Sequence, residues 1–303
     1  MRSYIREANV DYACDICGCI ELKPAYRPPD TKRRITVFVC PKCNLVQSFP
    51  RMDKVTEHLP SMTSGAAFGN FRYGKSFRTE VAMSRLKLFS DLHQIENVLD
   101  VGSNRGNFIW ALHENCRSAK ITAVEPDKEA ILNYHTSKRI KLHNCRIESF
   151  YSKPQVFDLV YCCHTLEHLK SPMQTLLNIR RWVKNDCLCY FEVPNLDIVL
   201  QKNIIEEFFI DKHLFHFSTE CFINILNLAG FKPCDQGVYV DSENISVICR
   251  PSVKSSEPVK QVSNHEIHKK IELYYHQYNR KKIQIKSAVA NLNGLIENKK
   301  IAF

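Results

Sequence analysis

From Glu96 onward the apolar positions of the chain follow two rhythms in turn. Short β-branched and apolar runs, ENVLDVG (96–102), KITAVEPD (120–127), IKLHNC (140–145), FDLVYCC (157–163) and CLCYFEVP (187–194), predict five strands. Between them NFIWALHEN (107–115), KEAILNYHTSK (128–138) and MQTLLNIRRWVK (173–184) carry apolar residues at helical spacing. STECFINILNLAG (218–230) reads as a helix with a Ser cap and a terminal Gly. FKPCDQGVYV and ISVICR follow as a last pair of strands. Strands alternating with helices predict an α/β, doubly wound, mostly parallel seven-stranded sheet of Rossmann-like type. Ligands of such sheets bind at the carboxyl ends of the strands, beside the point where the strand order reverses.

The pattern changes outside this region, so the chain divides into four parts. Residues 1–60 carry paired cysteines and read as a small N-terminal zinc-ribbon module. Residues 61–95 read as a helical linker, 96–250 as the cofactor-binding domain and 251–303 as a basic helical tail. The tail places Ile267, Ile271, Tyr274 and Tyr278 on one helical face. That face is expected to pack on the body or on a partner subunit, which allows a homo-oligomer through the C-terminal helix. No apolar run is long enough to span a bilayer, and MRSYIREANVDYACD lacks a secretory apolar stretch. A cytoplasmic protein is expected.

In that setting the 14 cysteines read as thiols and metal ligands rather than disulfides. Cys14-x₂-Cys17 and Cys40-x₂-Cys43 are separated by 22 residues. Four thiolates on two tight knuckles suit a closed, tetrahedral, structural Zn²⁺. Cys19 is expected to be a non-ligand. The net charge of +10 is concentrated in the tail, where ten Lys and Arg face four Glu. The mildly basic core makes a nucleic-acid partner a secondary reading.

The turn Asp100-Val101-Gly102-Ser103-Asn104-Arg105-Gly106 joins the first strand of the domain to its helix. Gly102 permits the tight turn and Gly106 the close helix packing. Asn104 tolerates left-handed geometry better than most residues. Free N–H groups at the helix start seat a carboxylate, and Asp100 is placed to hold an ammonium group. Glu125, followed by Pro126 and Asp127, ends the second strand about twenty residues later. A carboxylate there accepts hydrogen bonds from two ribose hydroxyls. Turn and acid together indicate an adenosine-type cofactor without deciding between a dinucleotide and another nucleoside.

Four blocks decide it by resemblance. VLDVGSNRGNF, ITAVEPD, FDLVYCCHTLEHLKSP and CYFEVPN with FIDKHLFHFSTECFINILNLAGF resemble the class I S-adenosylmethionine (SAM) dependent methyltransferases. The order of two CxxC knuckles, CPKCNLVQ and then this domain resembles the zinc-containing sugar C-methyltransferases and related glycan-modifying methyltransferases. The resemblance implies SAM as cofactor and a sugar, nucleotide sugar or glycan precursor as acceptor, methylated on oxygen or carbon. Ile210 and Lys212 stand where those enzymes carry Tyr and Glu before a His, and His213 is retained. The departure puts C-methylation in doubt. Tyr73, in FRYGKSF, corresponds to a tyrosine that faces their substrate.

Methyl transfer to a hydroxyl or carbon acid requires removal of a proton, for which histidine is suited near neutral pH. His213, in the loop after the fifth strand, is the first candidate for the general base; His216 and His168 are others. Glu192, at the end of the fifth strand, is placed to bind a sugar hydroxyl, and His164 to border the cofactor. Glu167 and His168 have an alternative role in holding their loop against the next helix. Two other functions fit the same sequence. One is an RNA methyltransferase gripping RNA through Arg27, Lys32, Arg33 and Arg34 between the knuckles. The other is a non-catalytic SAM-fold and zinc-binding module.

Overall fold

The computed structural model describes residues 12–29, 31–51, 75–116, 118–131, 137–201, 207–253 and 263–299. A seven-stranded sheet is formed by β4 (Asn97–Val101), β5 (Lys120–Val124), β6 (Ile140–His143), β7 (Phe157–Cys163), β8 (Val183–Pro194), β10 (Phe231–Val240) and β11 (Asn244–Pro251). Its order is β10-β11-β8-β7-β4-β5-β6. The strands β4 to β8 run parallel, and β11 and β10 close one edge antiparallel. The chain moves outward from β4 to β6 and then returns to β7 on the other side of β4. The strand order therefore reverses between β4 and β7, with Val101 and Cys163 at the two strand ends and Asp100 one residue before the first.

Helices cover both faces, as the alternating pattern requires. On one face α1 (Lys75–Lys87) and α2 (Asn107–Asn115) bury Ala82, Met83, Leu86, Phe108, Ile109 and Leu112. The Phe108 ring stacks on Tyr161 of β7 with centroids 3.7 Å apart. On the other face α4 (Pro172–Trp182) and α5 (Thr219–Leu228) bury Leu176, Ile179, Trp182, Phe222 and Ile225. Each of these two helices starts at a serine whose side chain accepts a backbone N–H: Ser171 from Gln174 and Ser218 from Cys221. The helix predicted to run to Lys184 ends at Trp182. Val183 is β-branched and fully buried, and it pairs with Phe157 and starts β8. Of the helix expected at 128–138, α3 covers Lys128–Ile131, and residues 132–136 lie outside the described residues. The same holds for residues 61–74 of the expected linker; α1 occupies its second half.

A second sheet has the order β1-β2-β3-β9. β1 (Lys23–Tyr26), β2 (Thr36–Val39) and β3 (Val46–Phe49) come from the cysteine-bearing segment, and β9 is the two-residue strand Phe215–His216. Pairing of Val46 with His216 and Gln47 with Phe215 ties this sheet to the loop that follows β8. The sheet is backed by α6 (Asn264–Lys299), the 36-residue C-terminal helix. Ile267, Ile271, Tyr274 and Tyr278 are buried against Tyr26, Val37, Val39 and Val46. The apolar face expected on the tail is thus buried within its own chain. Tyr26 and Tyr274 both donate to the Glu207 carboxylate, and Asn264 Nδ2 donates to the Cys40 carbonyl at 3.1 Å. Beyond Tyr278 the helix extends outward, with Ile283, Val289 and Leu292 exposed. Among the described residues no helix is long and apolar enough to cross a membrane.

Candidate active site

The turn after β4 has the geometry its residues imply. Gly102, Asn104 and Gly106 adopt positive φ of 71°, 48° and 79°. A side chain at Gly102 would place its Cβ 2.1 Å from Thr165 Oγ1. Thr165 is held by hydrogen bonds to the carbonyls of Val101 and Cys163, so it packs the loop after β7 onto the turn. Gly102→Ala is therefore expected to destabilise the protein by about 1–2 kcal/mol from backbone strain alone. Asn104→Gly should change stability by less than about 0.5 kcal/mol. Chemical denaturation of the two variants checks the contrast.

Glu125 is buried at the end of β5. Its Oε2 accepts the Asn104 N–H at 2.7 Å and its Oε1 the Asp127 N–H at 2.8 Å. Burial pushes its carboxyl up to about 7 against those two hydrogen bonds. Asn144 Nδ2 donates to the Glu125 carbonyl at 2.8 Å and fixes the strand end. Ser103 and Asp127 are buried beside it, and Pro126 is half-buried. Asp100 is 1% exposed, and neither carboxylate oxygen has a hydrogen-bond partner among the described residues. Burial, and then the Glu125 charge, raise its carboxyl well above the usual range. A buried unpaired carboxyl is costly. Its place at the strand-order reversal suits a ligand bringing a cation or N–H and O–H donors.

The loop after β7 meets the loop before β9. Leu214 N donates to the Glu167 carbonyl at 2.8 Å, and His168 Nδ1 lies 3.0 Å from the Lys212 carbonyl. These two bonds bring Glu167, His168 and His213 together, with the His168 and His213 rings 4.9 Å apart. His164 adopts a φ of 48°, a conformation costly outside glycine. It presents Nδ1 to Glu167 Oε1 at 3.5 Å. Burial and then the neighbouring imidazoles, His168 first, hold His213 well below the usual imidazole range. His216 points elsewhere: it is buried in the small sheet 3.1 Å from Ser48 Oγ, and burial lowers it to about 3.

Glu192 is the centre of a separate network. Its Oε2 accepts from Tyr190 at 2.6 Å and Ser246 at 2.7 Å; its Oε1 lies 3.3 Å from Cys163 Sγ, 3.3 Å from Arg78 Nη1 and 3.4 Å from His164 Nε2. Burial raises its carboxyl, but His164, Arg78 and Tyr190 together hold it well below the usual range. Arg78 and Asn244, which accepts from His164 Nε2 at 2.9 Å, are site residues that the sequence pattern does not single out. Tyr73 lies outside the described residues.

The four knuckle thiols also converge. Cys14 and Cys43 Sγ are 3.3 Å apart, Cys17 and Cys40 Sγ 3.4 Å apart, and all four lie within 4.8 Å of one another. No cysteine is in a disulfide, and Cys19 is outside the cluster. This is the donor set of a closed tetrahedral metal site.

Asp100 and Glu125 thus stand at the switch point of a doubly wound sheet, where such folds bind their ligands. The chain belongs to the methyltransferase-domain family, whose profile matches residues 73–236, more than half of its length. Among solved structures it is similar to the 1,6-didemethyltoxoflavin-N1-methyltransferase of Burkholderia thailandensis, determined with 1,6-didemethyltoxoflavin and S-adenosylhomocysteine bound. That similarity has a TM-score of 0.50 at 15% identity and covers 76% of this chain and 100% of that one. SAM-dependent methyltransferases from Mesorhizobium loti (TM-score 0.47, 13% identity, 58% of this chain and 100% of that one) and Aquifex aeolicus (0.45, 18%, 58% and 90%) are also similar. At these identities the likeness is one of fold. No curated protein sequence matches the chain. The chain is thus a methyltransferase with the SAM-methyltransferase fold.

Proposed function

We propose that the protein transfers a methyl group from SAM to a hydroxyl of a sugar, nucleotide sugar or glycan precursor. The observation that carries the cofactor is Asp100, a buried carboxylate with both oxygens unpartnered at the strand-order reversal. Asp100 would hold the amino-acid end of SAM. Glu125, whose oxygens keep lone pairs beyond the two backbone bonds, would hold the ribose. Gly102, Ser103 and Asn104 would line the contact, and the start of α2 behind Gly106 offers free N–H groups. When bound, SAM supplies a methyl group already activated on a sulfonium.

The chain's own residues must orient the acceptor and help its proton leave. The acceptor hydroxyl loses its proton beside His213, in the pocket shared with Glu167 and His168. Glu192, held by five neighbours, positions His164 and Arg78 in this reading. Support for oxygen as the acceptor comes from Ile210 and Lys212 standing where the C-methylating pattern has Tyr and Glu. The Cys14, Cys17, Cys40 and Cys43 cluster would hold a structural Zn²⁺. An RNA acceptor is less favoured: Arg33 is spent on the carbonyls of Asp211 and Pro50, and the Lys32 and Arg33 N–H groups bind the Asp211 carboxylate.

The test is incubation of the full chain with methyl-labelled SAM, a panel of nucleotide sugars, and RNA. Label on a sugar oxygen is expected; label on RNA with a steep salt dependence would redirect the assignment. His213→Ala should lower kcat about a hundredfold or more while SAM affinity, measured by calorimetry, stays unchanged. Turnover surviving that substitution would remove His213 from the acceptor side.

A further inference from the structure

The protonation pattern around Glu167 leaves several acceptors facing one another. The Lys212 carbonyl can only accept, so Nδ1 of His168 carries a hydrogen, and in the neutral ring, which burial favours, Nε2 carries a lone pair. That lone pair points at Glu167 Oε1, 3.5 Å away. Asn244 Oδ1 accepts from His164 Nε2 at 2.9 Å, and His164 Nδ1 lies 3.5 Å from Glu167 Oε1. Glu167 is 1% exposed, and neither of its oxygens has a hydrogen-bond partner among the described residues. His213 Nδ1 is likewise buried without a partner. One donor atom from each of Glu167, His168 and His213 lies within 4.8 Å of the others. A buried carboxylate without a partner is costly, and a cation among these atoms would satisfy all of them.

The neighbouring group of Cys163, His164 and Glu192 also brings potential ligands together, but it differs in kind. There Tyr190, Ser246, Arg78, Cys163 and His164 already face the Glu192 oxygens. Among the described residues no hydrogen bond reaches the Glu167 oxygens, and the two flanking imidazoles stand off at 3.5 Å.

We propose that Glu167, His168 and His213 bind a divalent transition-metal cation on the acceptor side of the cofactor crevice, with His164 alongside. Two imidazoles and one carboxylate suit Mn²⁺, Fe²⁺, Co²⁺ or Zn²⁺ better than Mg²⁺, and three protein ligands leave positions open. Lys212 fixes the His168 ring through its carbonyl, as an outer-shell partner does. The open positions fit an acceptor with two adjacent oxygens, such as a vicinal diol of a sugar. This substrate class rests on the oxygen methyl transfer proposed above and makes His213 a ligand rather than a free base. A cation there draws the acceptor oxygen and eases loss of its proton to solvent. That oxygen then forms the bond to the methyl carbon as the carbon–sulfur bond of SAM breaks, giving a methyl ether and S-adenosylhomocysteine.

The experiment is a Mn²⁺ titration of the full chain, its thiol cluster loaded with zinc, followed by the loss of the free-Mn²⁺ electron paramagnetic resonance signal. Wild type is expected to bind Mn²⁺, and Glu167→Gln and His213→Ala to bind it at least about tenfold more weakly. Unchanged SAM affinity and melting temperature in Glu167→Gln show that the variant is folded. Wild type binding Mn²⁺ no more tightly than the two variants, with the same result for Co²⁺ by absorption, overturns the site. The readout is metal binding, so an unmethylated sugar panel beside a bound metal overturns the substrate class and leaves the site standing.

Discussion

Replacing Cys40 with serine is expected to abolish thiolate-bound metal, unravel the small sheet and lower methyl transfer by more than tenfold, although Cys40 is not placed at the reacting atoms. Cys40 is fully buried between β2 and β3, and the Asn264 side chain of α6 binds its carbonyl. Structural zinc in isolated zinc-finger peptides contributes about 10–16 kcal/mol of apparent folding free energy at neutral pH. If the cluster holds zinc as proposed, losing one of the four thiols outweighs what four short strands can recover. The damage would reach the proposed acceptor side through β3. Ser48 N donates to the Leu214 carbonyl at 2.8 Å, and Leu214 N in turn donates to the Glu167 carbonyl. His213 is the residue before Leu214. SAM binding, proposed above to rest on β4, β5 and the start of α2, should survive. Thiolate-to-cobalt charge-transfer absorption, hydrogen exchange of residues 36–49 and labelled-SAM turnover test the three parts. A metal-free Cys40→Ser protein with full activity would show that the knuckles do not support the site.

Asp100→Ala should separate binding from stability. Removing a hydrogen bond or ion contact to a charged group costs about 1.5–3 kcal/mol, or roughly ten- to hundredfold in SAM affinity. The ligand-free protein should lose no stability, because a buried carboxyl without a partner costs about 1–3 kcal/mol where it stands. The sign of the pH effect follows from the raised folded-state carboxyl of Asp100. Its contribution to stability is fully present below the unfolded carboxylate range and is lost as pH rises through the raised folded value. A cation arriving at Asp100 lowers that value again, so SAM binding should release a proton. Calorimetry in buffers of different ionisation enthalpy measures that release, and it should disappear in Asp100→Ala. A variant that binds SAM as tightly as wild type would remove Asp100 from the cofactor site.

The parts of the fold that depend on neighbouring residues were open to reading from the sequence. The helix Asn107–Asn115 and the strand Phe157–Cys163 fall where the apolar rhythm places them. Asn104 has the left-handed backbone expected of it. The four knuckle cysteines converge as their spacing implies. What depends on distant partners was not readable. Phe215–His216 is too short for any periodicity, and it becomes a strand only because β3 offers an edge. The buried face of α6 is visible as a stripe, but nothing local says that it covers the small sheet. Glu167 shows the same limit at the site. Within HTLEHL it reads as a loop-holding acid, and its unpaired oxygens emerge only when the 212–214 segment docks beside it. Arg78 gave no signal at all, since an arginine on an amphipathic helix usually faces water.

The small sheet is closed by segments that leave the ribosome long after it. Cys14 through Phe49 are made early, whereas β9 and then α6 follow more than 160 residues later. At bacterial-to-eukaryotic translation speeds that interval is roughly 10–30 s. During it, β3 has an unpaired edge, and Val37, Val39 and Val46 lack the helix that covers them. Early capture of a metal ion by the knuckles would hold the two thiol turns together until Asn264 arrives. Synthesis under metal starvation should therefore harm the yield of newly made chain far more than chelator treatment harms finished protein.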